Sequence, residues 1–585
     1  MTPTRSSTTR SSTTPRTAGA TATAVSRAAR GSLAALAAVV SLALVPAAAP
    51  ATAAPYPVRP DPAAQAAQLS RELVRASSAR GAYRQLQKFQ SLADAHHSTR
   101  AAGTPGHEAS AEYVHDTLRK AGFRVSYQPF PITYTETRAE KLAVVAPAPR
   151  ELAVSALTYT RSTPVGGITA ALAAVPVDAT TGCEPADYAA GAFTGRIALI
   201  RRGGCTFAQK QKTAAGAGAV AALIANNTPG TLSGTLESPK GVKIPTGGIS
   251  QADGAALAAR AQRATARPQT NPRTKAGPGP APARTPHTPA VTVRLEIRQL
   301  QERRTTRNVI AETRGGDPAH TVMLGAHLDS VTAGPGINDD GSGSAGLIEV
   351  AQQLARARQQ PANKVRFAWW SAEELGLRGS EAYVRNLTAP QRKQLALYLN
   401  FDMIASPNYA QLVYDGDNSD AKGAGAGPAG SGRLEKGITA FLDRRHVPHE
   451  GTDFDGRSDY GPFIAAGIPS GGTFTGAEEI KTAAQAKKFG GKAGVALDAC
   501  YHLACDTLKN INMKAFGINI AVMADAVGTY ASDVRSLTPS TGHRHRASST
   551  RHRASGIGTG HRAPESRYRT SDRPRQERVH RVQEQ

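Results

Sequence analysis

Apolar and polar positions change their period several times along the chain. Helical spacing is seen in Ala63–Ser78, Ala82–Ala95 and Glu108–Ala121, the last with Tyr113, Val114 and Leu118 on one face. Phe123–Phe130 alternates and predicts a strand. From about Ala139 to Arg298, short Val/Ala/Ile strands alternate with Gly and Pro, and Val291–Ile297 would close that region. Its clearest piece, Gly195–Asn227, reads strand, turn with Cys205, helix, strand. Beyond it the pattern predicts strands over Arg307–Thr313, Thr321–Ala326, Val365–Trp370, Leu395–Ile404, Gln411–Asp415 and Ile468–Phe474. Helices fall between or after them, over Ser342–Arg358, Ser380–Leu387, Arg433–Arg445 and Met513–Val534. This alternation predicts an α/β domain with a largely parallel core sheet.

Composition changes the picture mainly at the ends. The 585 residues carry a formal net charge of +25. Much of that excess sits in segments without a core pattern: residues 1–54, which hold five Arg and no acid, the Arg/His/Ser-rich tail 536–585, and a Pro/Ala/Arg-rich loop, Gln269–Pro289. With aromatics at 5%, no stacking platform for bases is visible. Solvated basic tails, with no specific nucleic-acid partner, are therefore expected. Leu33–Val45 is apolar but too short to span a bilayer. The small residues Ala51–Ala54 after it complete a signal peptide with cleavage near Ala53 or Ala54, so a secreted chain without a stable membrane anchor is expected. In that setting the cysteines read as two local disulfides, Cys183–Cys205 and Cys500–Cys505.

Candidate chemistry gathers just beyond strands. The stretch Thr321–Gly346 runs from an apolar strand into His327 and Asp329, which share a strand face, then into Asn338-Asp339-Asp340 before a small-residue helix start. F-A-W-W-S-A-E-E-L-G brings Glu373 and Glu374, Y-L-N-F-D-M-I brings Asp402, F-D-G-R-S-D-Y brings Arg457, and D-A-C-Y-H-L-A-C-D brings Tyr501 and His502. Asp402 interrupts an apolar strand, where an unpaired carboxylate would be costly. Two histidines and three carboxylates, one of them shared, suit a pair of zinc ions. A further unligated carboxylate would then move the proton from water to a leaving amine, and the adjacent pair Glu373-Glu374 fits such a division.

These segments, with G-I-N-D-D-G-S-G, G-R-S-D-Y-G-P-F and G-G-T-F-T-G, resemble the secreted co-catalytic double-zinc aminopeptidases, most closely the bacterial leucyl aminopeptidases of the actinomycete type. Gly195–Asn227 resembles the core of the protease-associated (PA) domain, which makes the layout similar to aminopeptidase Y-like members. The resemblance implies an α/β/α sandwich with a central mixed, mostly parallel sheet, plus an inserted mainly-β PA domain. The changes of texture along the chain divide it into 55–138 and 299–535 for the peptidase, 139–298 for the insert and 536–585 for a disordered tail that lies outside the resemblance. The resemblance implies that His327 and Asp402 bind one zinc, Glu374 and His502 the other, and Asp339 both. Glu373 would be the general base and then acid. Asp329 would orient His327, Tyr501 would donate to the oxyanion, Arg457 would lie near the free amine, and Phe474 would lie at the side-chain pocket. A cis peptide after Asp339 is implied too. Calcium is disfavoured, because the last helix carries no acid before Asp525 around Phe516–Met523.

The function expected is removal of N-terminal residues, apolar ones such as Leu preferred, from peptide substrates by a monomer. Two other readings stay open. One is a related double-zinc exopeptidase, dipeptidase or carboxypeptidase-like. The other is a metal-free PA-containing binding protein.

Overall fold

A long antiparallel ribbon forms the spine of the molecule. The computed structural model describes residues 61–265 and 290–537, apart from 422 and 424. The expected signal peptide, the whole of the Pro-rich loop and nearly all of the basic tail lie outside these residues. The ribbon consists of β1 (Arg124–Ala146) and β2 (Thr292–Glu312), paired from Arg124↔Glu312 to Ala146↔Thr292. The sequence pattern predicts two short strands, Val291–Ile297 and Arg307–Thr313, and assigns no element to the polar residues between them. They are one strand, because β1 supplies backbone partners to the polar stretch, pairing Thr135↔Gln301 and Tyr134↔Glu302. The same ribbon continues, with a register shift between Thr137 and Ala139, through residues 139 and 298, where the insert was expected to begin and end.

At one end of the ribbon lies the peptidase sheet. It is completed by β3 (Asp317–His327), β4 (Asn363–Trp370), β5 (Leu395–Phe401), β6 (Leu412–Tyr414), β7 (Glu450–Thr452) and β8 (Ser470–Phe474). The order is β7-β6-β8-β5-β3-β4-β2-β1, and β8, β5, β3 and β4 run parallel. Apolar residues that helices present every third or fourth position cover one face: Leu69 and Leu73, Leu86 and Phe89, Leu347 and Ala351, Leu434 and Ile438, Phe516 and Ile520. On the other face Trp370, Tyr383, Tyr398 and Phe463 form an aromatic layer, with Tyr398 and Phe463 stacked at 3.7 Å. The result is the α/β/α sandwich with a mixed central sheet.

At the other end, Ile168–Ala174 pairs with β2 and opens the insert sheet. Parallel strands Ile197–Arg201, Ala221–Ala225 and Thr246–Ile249 follow, with helices Phe207–Gly216 and Gln251–Thr265 packed on them. Both expected disulfides are formed, Cys183–Cys205 and Cys500–Cys505. Among the described residues no helix is long and apolar enough to cross a membrane.

Candidate metal centre

The site lies beyond the carboxyl ends of the parallel strands β3, β4 and β5, where open α/β sheets hold ligands. His327 is the last residue of β3 and is 1% exposed. Its backbone N–H donates to Asp340 Oδ2 at 3.1 Å. Asp340 also caps the helix Gly341–Arg356, Oδ1 accepting from Gly343 at 2.9 Å, and the same oxygen accepts from Met403 at 3.1 Å. One buried carboxylate thus ties together the ends of β3 and β5 and the start of a helix. Only glycine fits at 343, because a Cβ there would lie 1.9 Å from the Phe401 carbonyl.

Two donor groups meet at Asp339. His327, Asp339 and Asp402 form one, and Asp339, Glu374 and His502 form the other, with the donor atoms of each group within 4.8 Å of one another. His327 Nε2 is 3.1 Å from Asp339 Oδ1 and 3.6 Å from Asp402 Oδ1. His502 Nε2 is 3.2 Å from Asp339 Oδ2 and 2.9 Å from Glu374 Oε2. Glu373 belongs to neither group but reaches His327 Nε2 at 4.0 Å. The Asp339–Asp340 peptide is cis.

Two expectations are refined by this geometry. Asp402 does not interrupt a strand; β5 ends at Phe401 and Asp402 begins the loop, with Oδ2 held by the Ser458 hydroxyl at 2.6 Å. Asp329 meets His327 mainly through its backbone: Nδ1 lies 3.0 Å from the Asp329 carbonyl oxygen and 3.9 Å from the carboxylate. The carboxylate instead accepts the Glu373 N–H at 3.2 Å.

The electrostatics call for a cation. Buried Asp339 Oδ2, Asp402 Oδ1 and Glu374 Oε1 have no hydrogen-bond donor, although buried acceptors normally find one. Burial pushes Glu373 well above the ordinary carboxylate range, with Asp459, Asp402 and Glu374 adding to the effect against His327. Glu374 is raised too, chiefly by burial. Burial works against charge on both histidines, but the surrounding carboxylates dominate: His327 is held well above its usual value, and His502 is raised to about 10 by Glu374 and Asp339. So dense an acidic cluster is stabilised by positive charge, and imidazole nitrogens interleaved with carboxylates suit zinc chemistry.

The remaining site residues line one open pocket, together with Asp339, Glu373, Asp402 and His502. Phe474, the last residue of β8, forms part of its wall. Tyr501 stacks on His502 at 3.8 Å, in the loop that Cys500–Cys505 closes. Arg457 Nη2 donates to Tyr501 Oη at 3.2 Å, and the guanidinium pairs with Glu478 at 3.0 Å and Glu479 at 3.4 Å. Asp525, the one acid of the last helix, is engaged by the Ser70 hydroxyl.

Other residues shape the site without having stood out in the sequence. Arg100 is fully buried and donates to the carbonyls of Leu328, Pro335 and Gly336, bracing the loop between His327 and Asp339. Asp506 accepts the backbone N–H groups of Asn338 at 2.9 Å and Asp339 at 3.0 Å. Asp506 closes the D-A-C-Y-H-L-A-C-D motif, so an acid at that edge was the available signal; Arg100 lies in a Gly/Pro turn that gave none.

Residues 308–527 match the model of peptidase family M28, and residues 168–257 match that of the PA domain. An aminopeptidase of Pseudomonas aeruginosa is 43% identical, covering 77% of this chain and 81% of its own. Leucine aminopeptidase 2 of Arthroderma otae is 42% identical, over 78% of this chain and 86% of its own. Among solved structures, the aminopeptidase from Aneurinibacillus sp. strain AM-1 aligns with a TM-score of 0.59 at 25% identity, over 79% of this chain and 95% of that one.

Proposed function

The chain belongs to peptidase family M28, and we propose that it is an aminopeptidase that hydrolyses the first peptide bond of peptides with two zinc ions. The observation that carries this reading is the pair of donor groups sharing Asp339, with Glu373 alongside but in neither. His327 and Asp402 would hold one ion, Glu374 and His502 the other, and Asp339 both. Zinc there supplies Lewis-acid polarisation of the scissile carbonyl and a lowered pKa for the attacking water.

The chain's own residues do the rest. Glu373 takes a proton from the water as its oxygen bonds to the carbonyl carbon. It then delivers that proton to the amine nitrogen as the C–N bond breaks. Because Arg457 donates to the Tyr501 oxygen, the phenolic hydrogen is left to point at the developing oxyanion. The pairing of Arg457 with Glu478 and Glu479 offsets its charge, so the free amine of the substrate can approach the acidic side formed by Glu373 and Asp402. Phe474 receives the first side chain, which favours apolar residues such as Leu, in keeping with the name of the Arthroderma relative.

The insert is assigned to 139–298. The chain acts as an exported monomer; the two disulfides support export. The test is Glu373→Gln on leucyl-nitroanilide. The variant is expected to retain its zinc and lose about 10²–10⁴ in kcat. A fully active variant refutes the base assignment, and a zinc-loaded wild type inactive on every aminoacyl-nitroanilide refutes the aminopeptidase reading.

A further inference from the structure

We propose that the PA insert helps hold the Glu373–Glu374 turn in its working geometry, and that Tyr159 is the positioning residue through which it does so. This rests on the roles given above to Glu373 and Glu374.

The turn that follows β4 is tight. Glu373 O accepts from Gly376 N at 2.7 Å and from Leu377 N at 2.9 Å, and Arg378 N donates to Ala372 O at 3.0 Å. Ala372 and Leu377, on either side of the glutamates, adopt left-handed backbone at φ +60° and +61°. Non-glycine residues stay in that region only where their surroundings enforce it. From the peptidase side, Asp329 Oδ1 accepts the Glu373 N–H at 3.2 Å. From the insert side, the Tyr159 hydroxyl donates to the Leu375 carbonyl at 2.9 Å.

The second contact is built as firmly as the first. Tyr159 is 2% exposed and is itself left-handed, at φ +71°. The side chains of Leu375 and Ala372 pack in the same cluster as Leu157, Tyr159, Leu232 and Leu236 of the insert, so the turn is seated in the insert's core. The Arg378 guanidinium closes over the Tyr159 ring at 5.7 Å from its centroid. Leu375 adjoins Glu374, so the orientation of its peptide constrains the donor Glu374 offers to Asp339 and His502. A carbonyl released from Tyr159 would leave the turn held from one side.

The test uses the whole chain and two single-atom changes. Tyr159→Phe removes the hydroxyl and keeps the ring. Tyr188→Phe is the control: it removes another buried hydroxyl from the same cluster, one that donates to Gly182 O at 3.2 Å, away from the turn. Amide hydrogen exchange over residues 371–378 is read without substrate or zinc, and zinc release to a chelator and nitroanilide kinetics are read on the loaded protein. Tyr159→Phe is expected to speed turn exchange and zinc release, and to lower kcat, each by about tenfold, with KM within twofold. Tyr188→Phe is expected to move none of these. Wild-type exchange in the Tyr159→Phe turn overturns the proposal, and so does an equal acceleration in Tyr188→Phe, which would mean general loosening of the insert. Exchange decides the matter even if the protein cleaves no aminoacyl-nitroanilide, so failure of the aminopeptidase reading is separable from failure of this one.

Discussion

The peptidase sheet and the insert sheet are both built from parallel strands covered by helices, yet the residues beyond their strands differ in kind. At the end of β3 and just past it come His327 and Asp329, after β4 come Glu373 and Glu374, and after β5 comes Asp402. After the insert strands come Arg202, Asn226 and Ser250. Asn226 donates to Thr231 O at 2.8 Å, and its Oδ1 accepts from Asn227 N at 3.0 Å and Arg202 at 3.3 Å. Ser250 donates to Asp253 at 2.7 Å. In the peptidase sheet, by contrast, Asp329 Oδ2, Asp339 Oδ2, Glu374 Oε1 and Asp402 Oδ1 are buried without a donor. Parallel topology offers a place for a ligand; polar atoms left unsatisfied there reveal that one is meant to be bound.

The sharpest break of this contrast is Asp339→Asn. It keeps the volume but removes the carboxylate both donor groups share. Metal polarisation of a carbonyl is worth several kcal/mol, so kcat/KM is expected to fall about 10³-fold or more, with fewer zinc ions retained per chain by elemental analysis. A variant that keeps full activity would mean that Asp339 is not the shared ligand. Next in size is the Cys183→Ser/Cys205→Ser pair. That disulfide spans 22 residues of the insert, and its loss should lower unfolding stability by about 3 kcal/mol in denaturant titrations. The folded fraction should keep kcat within twofold. A larger loss of kcat would show that the site depends on the insert's covalent frame as well as on Tyr159.

These differences also explain what could be read beforehand. His327, Glu373, Glu374 and Asp402 stand in short runs at strand ends and His502 in a short cysteine-bounded loop, so all five could be named from local pattern and from resemblance. Three features escaped because they depend on distant partners. Gln299–Arg304 is polar and carries no strand pattern of its own, and only pairing with β1 makes it strand. Arg100 reads as part of a turn, and its burial follows from carbonyls over 200 residues away in sequence, at Leu328, Pro335 and Gly336. Tyr159 lies among Thr and Arg residues of the insert, where nothing local points to the Leu375 carbonyl. Strand ends also shift by a few residues; β5 stops at Phe401, and this turns Asp402 from a buried strand residue into a loop donor.

The smallest expected effect tests the contrast in reverse. Asn226 occupies in the insert the place Asp402 occupies in the peptidase sheet, one residue past the end of a parallel strand. Asn226 is fully used within the fold, so Asn226→Ala should cost about 1–2 kcal/mol of stability by leaving the Thr231 carbonyl short of a donor. It should leave nitroanilide kinetics unchanged, because nothing beyond the insert strands addresses a ligand. Asp402→Asn should do the opposite. Oδ2 keeps the Ser458 hydroxyl, while a buried charge with an unsatisfied oxygen is removed, so stability without zinc should hold or rise as activity falls. Chemical denaturation in chelator, run on both variants beside their kinetics, reads the two effects separately. If Asn226→Ala also lost activity, or Asp402→Asn unfolded more easily, then unsatisfied polarity would not distinguish the working strand ends from the structural ones.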